Sequence, residues 1–163
     1  MSNDVIKDTL RRMPYGFYAI TSRSDDDVNA MVANWVSQIS FEPRLVSLAL
    51  QTTSYTYGLI EKGKVFAINL FLKEDDESIK PFTKGRSKNP DKMVDAEFET
   101  APITGCPVLA GSAAYLECKV IKTIETGGDH NIVIGEVVGA GNNKPAEVKD
   151  TLTLTDIGWS YAG

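Results

Sequence analysis

Apolar and polar positions alternate with a period near two along much of this chain, the pattern of half-buried strands. It predicts strands over Tyr15–Ser22, Asn29–Trp35, Leu45–Leu50, Val65–Leu70, Ala113–Ile124 and His130–Gly141. In the first, Tyr15, Phe17 and Ala19 fall on one face, with Tyr18 and Ile20 on the other. Leu45–Leu50 is apolar enough to suit a strand covered on both faces. Polar Ser24–Asp27 turns the first strand into the second, and Thr126-Gly127-Gly128-Asp129 joins the last two. The segment from Trp35 to Pro43 reads as irregular.

A period near 3.6 replaces the alternation at three places. Val5, Ile6, Leu10 and Met13 share a face of a first helix, capped by Asn3 or Asp4 and stopped by Pro14. Tyr55–Glu61 is a short helix ended by Gly63. Asp75–Thr83 is a third, acidic at its front and limited by Pro81. Lys84–Pro90 and Asn142–Pro145 are loops, and the mixed pattern of Asp91–Glu99 assigns no element. Many short strands with few short helices predict a mainly β fold, a closed antiparallel barrel. No GxGxxG follows a strand, so a dinucleotide-binding βαβ unit is not expected.

Composition narrows the partners. The 163 residues suit one domain, 1–163, without repeat or linker. Seventeen basic against 22 acidic residues give a net charge of −5 with no basic block, which disfavours nucleic acid and anionic membranes. No apolar run reaches the roughly 20 residues of a membrane span. The polar N-terminus shows no signal-peptide pattern, so a cytoplasmic protein is expected. Cys106 and Cys118 make no CxxC pair and His130 is the sole histidine, so no metal site is expected. Cys118 shares a strand face with Leu116 and Val120 and reads as a buried, inert thiol. Cys106, before Pro107 in a loop, leaves a redox role open.

Candidate chemistry is local and ambiguous. Thr52-Thr53-Ser54-Tyr55-Thr56 places hydroxyls where a helix begins. The free N–H groups of a first turn suit a phosphate, while plain N-capping is the commoner use of such residues. Lys84-Gly85-Arg86-Ser87-Lys88 is the densest basic loop, fit for phosphate or simply for solvent. Met31-Val32-Ala33-Asn34-Trp35 offers small residues to a flat ligand and one amide, yet an ordinary barrel strand looks the same. His130, at a turn, needs no function. There are no paired catalytic carboxylates and no Ser/His/Asp set, which fits a cofactor enzyme and a binding module equally.

Several weak pieces occur in a specific order. They are Ala30-Met31-Val32-Ala33-Asn34, then Ser37 with Pro43, then Ser54 and Thr56, then Phe66-Ala67-Ile68-Asn69, and finally Gly128-Asp129-His130 with Ile132 and Gly135-Glu136-Val137. In this the chain resembles, over nearly its whole length, the flavin reductase-like family of FMN-binding split barrels. The resemblance implies a Greek-key split β-barrel, FMN as cofactor, NADH or NADPH as reductant, and a homodimer with flavin near the interface. It implies a ring against Met31, Val32, Ala33, Asn34 and Trp35. It implies a phosphate held among Gln51, Thr52, Thr53, Ser54, Thr56, Lys84, Gly85, Arg86 and Ser87, with Arg86 and Ser87 foremost. It puts His130 at the nicotinamide, and Pro14, Tyr15, Gly16 and Phe17 close to the flavin. Trp159 and Tyr161 would cover the ring or a partner subunit, or simply pack in the core. The implied activity is an NAD(P)H oxidoreductase of the flavin or ferric reductase type, passing electrons to free flavin, ferric complexes or a redox protein. The alternative is a non-enzymatic FMN carrier reduced by a rubredoxin-type partner. A pyridoxamine phosphate-type oxidase lacks a basic substrate pocket here.

Overall fold

A computed structural model describes residues 3–162. Seven strands form one antiparallel sheet in the order β2-β1-β5-β8-β9-β4-β3. They are β1 (Tyr18–Ser24), β2 (Asp27–Ala33), β3 (Val36–Ser40), β4 (Leu45–Gln51), β5 (Val65–Leu70), β8 (Ala114–Ile124) and β9 (His130–Asn142). A separate two-stranded ribbon pairs β6 (Phe98–Thr100) with β7 (Pro107–Leu109). β2 and β3 are the two edges of the large sheet, yet only Asn34 and Trp35 separate them in sequence. Three Cα steps of 3.80 Å cap the Ala33-to-Val36 distance at about 11 Å. The sheet must therefore curl until its edges meet, which makes it a split barrel with a seam at Asn34-Trp35.

The β1 faces sort as the alternation predicts. Phe17 and Ala19 enter a cluster with Ala30, Phe71, Ile79, Phe82, Leu109 and Leu152, between the sheet and the connecting segments. Ile20 enters the barrel interior with Leu48, Leu50, Ile60, Phe66, Ile68, Cys118 and Val133. β4 differs from expectation: Val46, Leu48 and Leu50 are buried while Leu45, Ser47 and Ala49 are only half-covered, so one face alone belongs to the core.

Other boundaries move for identifiable reasons. The segment expected to be irregular before Pro43 contains β3, whose exposed and half-buried residues hide the alternation because it is an edge strand. Trp35 lies outside the strand assigned to it. The helix expected over Asp75–Thr83 is three short turns, 3₁₀ over Lys73–Asp75, α3 over Asp76–Ile79 and 3₁₀ over Lys80–Thr83, since Pro81 supplies no N–H to a longer ladder. Helix α2 (Tyr55–Gly63) keeps Gly63 inside it, and Lys64 takes the left-handed cap with φ 57°. Gly63 serves close packing instead: a Cβ there would stand 1.9 Å from the Arg23 carbonyl oxygen. Helix α1 (Asn3–Leu10) forms, but Val5, Ile6, Leu10 and Met13 are all exposed. The expected cap at Asn3 lies outside the described side chains.

Both cysteines are free and buried. Burial pushes the Cys106 thiol up to about 11 and the Cys118 thiol up to about 12, so neither carries appreciable thiolate at neutral pH. Among the described residues no helix is long and apolar enough to cross a membrane, and no group of His, Cys, Asp or Glu is arranged to hold a metal.

Candidate functional site

The end of β4 feeds α2 through Thr52-Thr53-Ser54. Ser54 is the N-cap of α2, its Oγ accepting from the Tyr57 N–H at 3.2 Å. Thr56, fully buried in the first turn, accepts from Asn29 Nδ2 at 2.9 Å. That bond fastens the helix start to β2. Capping is therefore realised at Ser54, and the Thr56 hydroxyl is already bonded within the protein.

Arg86 reaches the same place from the basic loop. Its Nε donates to Asn29 Oδ1 at 3.1 Å, and its Nη2 donates to the Val28 carbonyl at 2.8 Å and to Asp27 Oδ1 at 3.2 Å. The guanidinium also stacks 4.0 Å over the Tyr55 ring. Tyr55 in turn donates to Asp27, and that hydrogen bond raises its phenol above the ordinary value. Asn29 thus holds both Thr56 and Arg86, and three separated segments meet on its amide.

These segments wall a cleft of about 600 Å³. Ten of the residues singled out by sequence line it: Met31, Val32, Gln51, Thr53, Ser54, Thr56, Lys84, Gly85, Arg86 and Ser87. Trp159 and Tyr161 line it too. A second cavity of about 590 Å³, between Leu70–Leu72 and Asn142–Val148, holds none of them. Size does not separate the two, so the chemistry of the lining decides.

Ala33, Asn34, Trp35 and Thr52 lie outside the cleft lining. The Thr52 N–H donates to the Asp129 carbonyl at 3.0 Å, and Gln51 pairs with His130 across β4 and β9. These contacts pin Gly128-Asp129-His130 beside the helix start. His130 Nδ1 lies 2.7 Å from Asp129 Oδ1, a hydrogen bond that holds the Asp129 carboxyl below its usual range. The imidazole meets the Trp35 ring edge-on at 4.8 Å, and Trp35 lies 6.2 Å from Tyr161 on the cleft rim. An aromatic row thereby connects His130 to the cleft. Tyr15 packs on Trp35 at 6.5 Å and Phe17 on Trp159 at 5.7 Å, so the Pro14–Phe17 segment buttresses that row from behind.

At the barrel seam, Asn34 is 7% exposed and its Nδ2 has no hydrogen-bond partner among the described residues. Buried donors are seldom left unpaired, and the cost marks a place where a ligand acceptor would be welcome. The donor set fits a flavin phosphate as well. Thr53, Ser87 and Lys84 line the cleft with none of their side-chain polar atoms committed elsewhere in the described structure. Sequence reading missed Asn29, Tyr55, Phe82, Thr83 and Lys92 as cleft residues. Tyr55 was legible as the first residue of a helix, but Lys92 sits in the stretch whose pattern gave no element.

The fold and cleft define a mainly β, ligand-binding domain, and comparison with known proteins assigns it. The family model for the flavin reductase like domain matches residues 10–158. A solved structure described as flavin reductase HpaC complexed with NADP+ is similar at a TM-score of 0.75 and 26% identity, covering 90% of each chain. Diflavin flavoprotein A 1 of Synechocystis sp. is 33% identical over 134 residues, 81% of this chain and 23% of that protein. High molecular weight rubredoxin of Moorella thermoacetica is 32% identical over 133 residues, 80% of this chain and 57% of that protein. The chain belongs to the flavin reductase-like family. It spans only a quarter to about half the length of these two curated relatives.

Proposed function

We propose that this domain is an FMN-dependent NAD(P)H oxidoreductase of the flavin or ferric reductase type. Electrons would pass to free flavin, ferric complexes or a redox protein. The observation that carries it is the convergence of the helix-start hydroxyls, the basic loop and the aromatic rim on one cleft. When bound, the flavin supplies the hydride and electron chemistry. The protein's share is to bind and orient. Met31 and Val32 offer a flat floor, and Asn34 an unused donor. Thr53, Lys84 and Ser87 face the phosphate end, and the N–H groups at the start of α2 add their partial charge. His130, fixed by Asp129 and leaning on Trp35, is set to hold a nicotinamide nucleotide beside the ring without proton chemistry of its own.

A second reading is favoured by the likeness to a rubredoxin-named protein: an FMN electron carrier reduced by a rubredoxin-type partner. We also take the protein to be a cytoplasmic homodimer. A groove rimmed by Tyr18, Val36, Leu70, Leu116 and Val137 with Ser37, Gln38 and Arg44, over the buried Val46 and Ile68, supports the dimer as a surface for a second copy.

One experiment tests the readings together. The purified protein should be yellow, release FMN on denaturation, and bleach anaerobically with NADH or NADPH. A protein that neither carries nor binds FMN overturns both readings. One that binds FMN but stays oxidised with both nucleotides leaves the carrier.

A further inference from the structure

Three cations line the cleft, the exposed Lys84 and the more deeply set Arg86 and Lys92, and the last two differ in what they are committed to. Arg86 spends Nε and Nη2 on Asn29, Val28 and Asp27, and its face on Tyr55. It is a wall component. Lys92 also lines the cleft and is only 3% exposed. Its Nζ makes a single hydrogen bond, to the Lys84 carbonyl at 2.9 Å. Among the described residues no carboxylate lies within ion-pair distance of it. Lys92 also lines a neighbouring cavity together with Asp95 and Glu97, and neither carboxylate pairs with it. The Arg86 guanidinium adds a like charge. Burial first, and Arg86 second, bring the Lys92 ammonium down to about 8.

A buried, unneutralised ammonium with two donors to spare destabilises the protein that carries it. The arrangement becomes favourable once an anion shares the cleft. We propose that Lys92, rather than Arg86, is the cation that neutralises the flavin phosphate, and that binding a phosphate dianion fixes a proton on Lys92. This rests on the flavin reading above and names the charge that serves it.

The sign of the pH dependence follows. A phosphate monoester loses its second proton near pH 6, so it is a dianion throughout the relevant range. In the free protein Lys92 discharges as pH rises through about 8. Beside the dianion it stays charged to higher pH. Binding therefore takes up a proton, and affinity falls above about pH 8 by at most about tenfold per pH unit. The other groups facing Lys92 do not mimic this. Arg86 is committed to Asn29, Val28 and Asp27, and a contribution from the Lys84 side chain, which also lines the cleft, would survive in Lys92→Met. Tyr55, hydrogen-bonded to Asp27, titrates above the ordinary phenol value. Asp95 and Glu97 share the neighbouring cavity with Lys92 but stay outside ion-pair distance of its Nζ among the described residues.

The test compares FMN with riboflavin, which lacks the phosphate, by fluorescence titration at about pH 7 and about pH 9.5. The ratio of the two affinities cancels any titration of the ring. In the parent this ratio should fall at least about tenfold between the two pH values. In Lys92→Met it should already be ten- to a hundred-fold lower at pH 7, and then stay flat. Riboflavin affinity should change little, and the free variant should melt no lower than the parent. An unchanged ratio at pH 7, a pH dependence that survives in Lys92→Met, or an equal loss of riboflavin overturns the proposal while leaving flavin binding intact. A parent that binds neither flavin overturns the flavin reading itself. Should Lys92→Met not fold, calorimetry on the parent in two buffers of different ionisation enthalpy decides. Proton uptake near pH 8.5 with FMN and none with riboflavin supports the proposal, and equal uptake overturns it.

Discussion

Asn29 and Asn34 stand at opposite ends of one strand, and both are buried. Asn29 is fully employed, giving to Thr56 and receiving from Arg86. Asn34, one residue past the end of β2, keeps an amide N–H₂ with no partner among the described residues. The same residue type is a structural rivet at one end and an unfilled donor at the other. The contrast separates a cleft wall that the protein builds for itself from a seam, outside the cleft lining, where a buried donor is left over. The Asn29 end is assembled by internal bonds, whereas the Asn34 amide at the seam has no such bond among the described residues.

Substitutions at the two ends should diverge accordingly. Asn29→Ala should have the largest effect: it strands the buried Thr56 hydroxyl and loosens Arg86, costing about 2–3 kcal/mol in urea unfolding. A loss under half of that would show that Thr56 and Arg86 find other partners. His130→Ala should leave stability and colour alone, raise KM for the nicotinamide nucleotide several-fold, about 1 kcal/mol, and lower kcat less. Stopped-flow reduction with unchanged KM would remove His130 from the site. Ser54→Ala should cost about 1 kcal/mol of stability through the lost N-cap. It should have no greater effect on FMN binding, because Ser54 Oγ is engaged with Tyr57. Asn34→Ala should be the smallest in unfolding, within about 0.5 kcal/mol, since it deletes no bond in the free protein. Its effect should surface only as weaker binding of flavin, riboflavin included. If Asn34→Ala unfolds as readily as Asn29→Ala, the contrast between the two ends fails.

Much of this was legible in the sequence because it depends on neighbours in the chain. The strands β1 and β5, the helix start at Tyr55 and the basic loop are local patterns, and each is found close to where expected. The mainly β fold and the family likeness follow from their order. What stayed hidden depends on distant partners. β3 escaped because an edge strand need not alternate. Gly63 was read as a helix stop, when its reason is the Arg23 carbonyl pressed against it. The commitment of Arg86 to Asn29 spans 57 positions, and nothing in the loop's composition announces it. Lys92 had no pattern around it, and its importance comes only from the absence of a counter-charge in its surroundings.

The pairing of β4 with β9 brings Gln51 opposite His130, and β5 pairs with β8 across the whole middle of the chain. Such long loops must close before their contacts repay the entropy, so the chain belongs among slow folders. None of the three hairpins of the sheet contains the whole cleft, and β3–β4 carries Gln51 without His130. The β1–β2 hairpin carries Asn29 without Thr56 or Arg86, and the β8–β9 hairpin carries His130 without Trp35 or Gln51. A flavin held in this cleft, as proposed, would therefore have nothing to grip on a partly folded chain. Its binding energy would be gained only by the finished barrel, which would make the cofactor a latch on the native state and not a template for reaching it.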